Sequence, residues 1–96
     1  MKHSVKELLN AESAHADIHF DGWIRTRRDS KDFSFIEMND GSCLANIQVI
    51  ADNTLSNYDK ITKYNTGASL SVKGNLAESP GKGQRWEVHA SEISPF

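Results

Sequence analysis

The sequence predicts an all-β fold: a small closed barrel of five strands, with one helix between the third and fourth strands and a short helix ahead of the first. Three observations predict it. Apolar and polar residues alternate in five short stretches, the period of a half-buried strand. Residues 52–66, with a helical spacing, separate three of these stretches from the last two. Glycine stands inside strands where a barrel has to bend, as at Gly22.

The elements follow in order. Ser4 precedes Val5, Leu8, Leu9 and Ala11, with Glu7 three residues on, the spacing of a capping box that starts a short helix over residues 4–13. In strand one, residues 17–28, Ile18, Phe20, Gly22 and Ile24 alternate with Asp17, His19 and Asp21; a bulge at Gly22 is expected to turn Trp23 toward the core. Strand two, about 33–39, places Ser34, Ile36 and Met38 on one face and Phe33, Phe35, Glu37 and Asn39 on the other. A turn at Asn39-Asp40-Gly41-Ser42 leads into strand three, about 43–51. There Ala45, Ile47 and Val49 face one way, and Leu44, Asn46, Gln48 and Ile50 the other.

In residues 52–66, Leu55, Tyr58, Ile61 and Tyr64 recur at intervals of three behind Asn53 and Ser56, and an amphipathic helix is expected, closed by Thr66-Gly67. Strand four, 69–77, turns Leu70, Val72, Gly74 and Leu76 to one face. Strand five, 84–90, does so with Trp86, Val88 and Ala90. The intervening Glu78-Ser79-Pro80-Gly81-Lys82-Gly83 has the composition of a mobile loop. Three strands, a helix and two strands match a Greek-key barrel of the OB type; an SH3-like barrel does not usually carry a full helix at that place. The expected organisation is an N-terminal helical extension at 1–16, the barrel at 17–93, and the start of a linker at 94–96.

Ninety-six residues with 38% hydrophobic content suffice for one core and exclude a large enzyme. The net charge of −2 argues against bulk electrostatic coating of duplex nucleic acid. Its distribution is uneven. Residues 25–31 hold Arg25, Arg27, Arg28 and Lys31 against Asp29, a local +3 that leaves −5 on the rest, a pattern suited to gripping a few phosphates at one place. Cys43 is a lone cysteine, which excludes an intramolecular disulfide and fits a reducing compartment; it is expected to be a buried small hydrophobe. The chain has neither the apolar run of a signal peptide nor a stretch of membrane-spanning length, so a soluble cytoplasmic domain without membrane partners is expected.

Catalysis finds no support. His3, His15, His19 and His89 fall at no metal-ligand spacing, and Ser79-Pro80-Gly81-Lys82-Gly83-Gln84 links two strands where a P-loop would join a strand to a helix. Binding is better supported. Most phenylalanines are core residues, but turning Phe35 inward would expose Ile36 and Met38 and bury Glu37. An outward Phe35 beside clustered arginines is a platform for unpaired bases, worth roughly 1–3 kcal/mol per stacked base. Gln48, on the same side if strands two and three pair as a hairpin, can donate to and accept from a base edge. Arg28 can meet phosphate or stack by its guanidinium plane, and Arg85 and Glu87, outward on strand five, can bracket a further base. Arg25, Arg27, Phe33, Asn46 and Lys82 complete the candidate set.

The run from Gly22 to Lys31, then Phe35-Ile36, Asp40-Gly41-Ser42-Cys43, Ile47-Gln48-Val49 and Ser79 to Gln84, resembles the N-terminal anticodon-binding domain of asparaginyl-tRNA synthetases over roughly 17–93. The Trp-x-x-x-Arg-Arg-Asp pattern from Trp23 to Asp29 is shared with aspartyl and lysyl relatives; the full run from Arg25 to Lys31, Asp40-Gly41-Ser42-Cys43 and the Ser79-Pro80-Gly81 loop look more particular to the asparaginyl branch. The resemblance implies an OB barrel that grips the anticodon loop of asparagine tRNA, with anticodon GUU. It implies that the Phe35 position stacks on the central uracil, that Gln48 reads that uracil, that Arg28 supports the loop, and that Glu87 lies near the first anticodon base. Asp32-Phe33 departs from the small residues of many relatives and leaves the role of Phe33 open. The catalytic domain of that family has no counterpart in these residues. ATP and magnesium are therefore expected only there, this chain is expected to be inactive alone, and a homodimer is expected of the full-length enzyme and a monomer of the isolated domain. The alternatives are a free-standing OB protein for single-stranded nucleic acid and a protein-interaction module.

Overall fold

A computed structural model describes residues 2–79 and 85–95. Its elements are α1 (Val5–Leu9), β1 (His15–Asp29), β2 (Phe33–Asn39), β3 (Ile47–Asp52), α2 (Tyr58–Ile61), β4 (Ser69–Glu78) and β5 (Trp86–Pro95). The strands close into a barrel in the order β1-β2-β3-β5-β4, with β4 returning to β1. All neighbours are antiparallel except β3 and β5. This is the five-stranded Greek-key barrel that the alternation predicts.

Closure requires β1 to serve two partners. Its first half pairs with β4 and its second half with β2. Gly22 lies where both grip it, and a Cβ there would stand 2.7 Å from the Asn39 carbonyl oxygen. The register is regular at Gly22; it slips between Ile24 and Thr26, so Arg25 is the extra residue of the bulge. Trp23 is consequently not turned into the core as expected and remains half-buried on the outer face.

The interior is lined by Ile18, Phe20 and Ile24 of β1, Ile36 and Met38 of β2, Ile47 and Val49 of β3, Leu70, Val72 and Leu76 of β4, and Trp86, Val88 and Ile93 of β5, all essentially without solvent exposure. Burying such side chains contributes about 1.5–3 kcal/mol each before the entropy of ordering the chain is counted. Strand five exceeds its expected limits. A slip between Lys73 and Gly74 lets β5 bend and continue to Pro95, so Ser94 and Pro95 are paired with Ser71 and Leu70. Gly74 permits this bend, because a Cβ there would lie 2.2 Å from the His89 carbonyl oxygen and 2.8 Å from Ala90 Cα.

Strand three is shorter than expected. Asn39, at the end of β2, is buried, and its Nδ2 donates to the carbonyls of Cys43 and Ala45 and to Asn46 Oδ1, while its Oδ1 accepts from the Gly41 N–H. Residues 40–46 are thereby folded around one amide and cannot join the ladder. Ala45 and Leu44 are exposed, and Cys43 is only half-buried, contrary to its expected place in the core.

The same turn docks α1. The predicted capping box is present, with Ser4 Oγ accepting from the Glu7 N–H and Glu7 Oε1 from the Ser4 N–H. Asp40 Oδ2 takes the Val5 N–H and Ser42 Oγ the Lys6 N–H, so the orphan donors of the first turn find acceptors across the chain. Five residues would not hold a helix alone; Val5 and Leu8, buried in the core, do so here.

The expected helix over 52–66 contracts to α2. A strict interval of three is the period of tighter turns, and Leu55, Tyr58 and Tyr64 donate to carbonyls three residues back. The apolar stripe keeps its inward side: Ile61 is buried, and Leu55, Tyr58 and Tyr64 pack on the core.

Two outcomes follow. Gly74→Ala should lower stability by about 1–3 kcal/mol through overpacking against β5, measured by urea denaturation; an unchanged midpoint would refute the close approach. Burial raises the pKa of Asp40, but hydrogen bonds from Ser42 and the Val5 N–H more than offset it, leaving the value below its ordinary 3.8. Ionised Asp40 therefore stabilises the fold above that ordinary range, and the contribution disappears as pH falls through the lowered value. Asp40→Asn should destabilise the domain at pH 7 and make its acid unfolding shallower.

Candidate nucleic-acid interface

The bulge at Arg25 divides the arginines. Up to Ile24 the even residues of β1 point inward; beyond the extra residue the odd ones do, so Arg27 pairs with inward Ile36 and Arg28 with outward Phe35. Arg27 was expected on the binding surface, but its Nη1 donates to the carbonyls of Ile61 and Tyr64 and its Nε lies 3.2 Å from Asp29 Oδ1. It fastens α2 across the end of the barrel. Arg28 is left outside, its guanidinium carbon 4.9 Å from the centre of the Phe35 ring. Arg25 opens instead on a cavity of about 420 Å³ lined by Trp23, Asn39, Gly41, Cys43, Leu44 and Asn46.

Phe35 is half-buried while Ser34 and Ile36 beside it are buried, so the outward phase holds. Phe33 stands on the same face, edge to the Phe35 ring at 87° with centroids 5.0 Å apart. That contact gives Phe33 a supporting place. Register extends the face in two rows across four strands: Arg28, Phe35, Ile50 and His89 in one, and Thr26, Glu37, Gln48 and Glu87 in the other. Gln48 is thus directly opposite Glu37 and diagonal to Phe35, within reach of a base stacked on that ring.

Glu87 faces outward yet is 4% exposed, and its Oε2 lies 2.6 Å from His89 Nε2. Asn46 is drawn away by its bond to Asn39 and sits in the Arg25 cavity, apart from Gln48. Arg85 is also displaced from its expected role: it lies 5.0 Å over the Trp86 ring and donates to the Glu12 carbonyl, because Trp86 itself reaches the Ala11 carbonyl and brings the N-terminal segment alongside. Lys82 lies outside the described residues, as does most of its loop. Alternation already puts Glu37 and Ile50 on this face; Thr26 and His89 are the neighbours it misses. The outward alternation of β5 already placed His89 beside Glu87, but only the parallel β3–β5 register brings it into the Phe35 row.

The assembled surface has a cation and an aromatic ring in contact and, one row away, an amide between two carboxylates. Among the described residues no group of side chains could hold a metal ion, and no helix is long and apolar enough to cross a membrane. The residues of this surface can stack and can donate and accept hydrogen bonds.

Residues 18–96 match the family model described as an OB-fold nucleic acid binding domain. The chain belongs to that family. Among curated relatives, this OB-fold domain is 52% identical over 90 residues to the asparagine–tRNA ligase of Oleidesulfovibrio alaskensis, covering 94% of the chain and 20% of the relative. It is 53% identical over 95 residues to that of Desulfotalea psychrophila, covering 98% and 21%. The chain therefore spans about a fifth of the length of these relatives. The Pyrococcus horikoshii asparaginyl-tRNA synthetase structure with asparaginyl-adenylate superposes with a TM-score of 0.85 at 19% identity, covering 100% of this chain and 22% of that one. An OBody bound to hen egg-white lysozyme superposes at 0.78 with 16% identity, covering 99% and 92%. Both share the fold.

The division of the arginines is testable without RNA. Arg27→Ala should cost about 1–3 kcal/mol of stability, since part-buried carbonyls lose a charged donor, whereas Arg28→Ala should change it by less than about 1 kcal/mol. Equal losses in urea denaturation would contradict the assignment.

Proposed function

We propose that this domain is the anticodon-recognition module of an asparagine–tRNA ligase, and that it reads a GUU anticodon. The observation that carries the reading is the Arg28–Phe35 contact on the same outward face as Gln48. An anticodon loop offers bases whose edges are free, the form in which RNA sequence is read by stacking and by Watson–Crick edge contacts. A base laid on Phe35 exchanges water for an aromatic face, with the Arg28 cation adjacent to receive backbone charge.

Gln48 then supplies selectivity. Its amide can donate to the uracil O4 and accept from the uracil N3–H; at the same two positions cytosine presents an amino donor and a bare N3 acceptor, so an amide oriented for uracil leaves both groups unmatched. Glu87 adjoins this centre on the β5 side, beside Gln48, and the acidic remainder of the surface disfavours indiscriminate RNA binding. The 48–53% identity to four asparagine–tRNA ligases supports the assignment to that branch. In the full-length enzyme, ATP and magnesium would serve a catalytic domain outside these residues. We assign that enzyme to the cytoplasm as a homodimer, with the module itself monomeric.

The test is the affinity of the domain for an asparagine anticodon stem-loop and for one with cytosine at the central position. The uracil loop should bind tighter by roughly 1–3 kcal/mol, Phe35→Ala should weaken it by a similar amount, and Gln48→Ala should abolish the preference. Equal affinities for the two loops, or equal affinity for an unstructured oligonucleotide, would overturn the proposal.

A further inference from the structure

The row that begins with Arg28 and Phe35 ends on β5 with His89. Three interstrand spacings separate Arg28 from His89, roughly 14 Å of sheet. Unlike Glu87, His89 is open to solvent, its side chain 54% exposed against 5%. The 2.6 Å contact between His89 Nε2 and Glu87 Oε2 places a proton on that nitrogen when the carboxylate is ionised, and so fixes the tautomer and the plane of the ring. Among the described residues, no protein partner of Nδ1 is found. That nitrogen accepts when the ring is neutral and donates when it is charged.

We propose that His89 is a phosphate-binding residue of this face, taking up a proton as the RNA strand lies across the row and holding a loop phosphate at the end opposite Arg28. The proposal rests on the anticodon-module reading. The charge balance gives the sign. With a neutral ring the Glu87–His89 pair carries −1 and repels a phosphate; with a protonated ring it carries none and offers Nδ1–H. The groups beside it do not supply that positive charge. On β3 its neighbours are Gln48, Ile50 and Asp52, with Glu37 beyond Gln48; on β4 they are Asn75 and Ala77. Lys73 farther along β4 is paired with Glu92 at 3.6 Å. The other histidines lie elsewhere: His3 and His19 bind each other beside Ser71, and His15 opens β1.

The experiment is fluorescence anisotropy with the asparagine anticodon stem-loop at pH 8 and pH 6, on wild type, His89→Gln, His89→Lys and His15→Gln. Wild type and His15→Gln should bind about five- to tenfold more tightly at pH 6 than at pH 8, across the range in which an imidazole gains its charge. His89→Gln should bind weakly at both values and His89→Lys tightly at both. The loss in His89→Gln should be the same for loops of different base sequence, since a phosphate contact carries no sequence information. A wild-type pH profile in His89→Gln, with RNA binding retained, overturns the His89 proposal alone; absence of RNA binding at either pH in every protein overturns the anticodon reading and this inference with it.

Discussion

One extra residue in one strand governs the rest of this structure. Strand β1 is fifteen residues long because it has to close the barrel, pairing first with β4 and then with β2. A strand that keeps one phase over such a length would send Thr26 and Arg28 inward. The bulge at Arg25 resets the alternation at the junction between the two partners. It thereby places Arg27 under α2, where its charge meets backbone carbonyls, and leaves Arg28 over Phe35, where it meets a π face and solvent. A basic run that looks uniform in sequence becomes one fastening residue, one surface residue and one cavity residue.

A second constraint is polar. The buried Asn39 amide folds the 40–46 turn, and Asp40 and Ser42 within that turn take the free N–H groups of α1. An isolated α1 could not form, and an isolated turn would leave buried polar groups unpaired, so each supplies what the other lacks. This arrangement lies at the opposite end of β2 from Phe35. The binding face can therefore remain a plain pleated surface, its side chains set by register alone.

Strand phase was the most legible property of the sequence. The outward direction of Phe35, the shared face of Gln48 and the inward Trp86 and Val88 all follow from period-two alternation, because each strand has one wet and one dry face. The capping box at Ser4 and Glu7 was legible for a similar reason, since both partners lie within one turn. Features decided by distant partners were not. The bulge was expected at Gly22, but glycine there answers to the approach of β2, and the slip falls at a residue with no sequence mark. The start of β3 depends on a side-chain bond from Asn39, the length of α2 on turns of period three, and the extent of β5 on the gap above Gly74. Arg27 could not be told from Arg28 without the bulge, nor His89 joined to Phe35 without a parallel pairing that hydrophobic alternation does not encode.

In the proposed reading, the outer faces of β2, β3 and β5, framed by Arg28, form the surface that meets RNA. Amide and side-chain NMR shift mapping during titration with an asparagine anticodon stem-loop tests it most directly. The largest changes should fall on Arg28, Phe35, Gln48 and Glu87, with Arg27, His19, Ser71 and Ser91 nearly unmoved. Changes concentrated around Trp23 and Leu44, or on the face formed by the first half of β1 and β4, would contradict it.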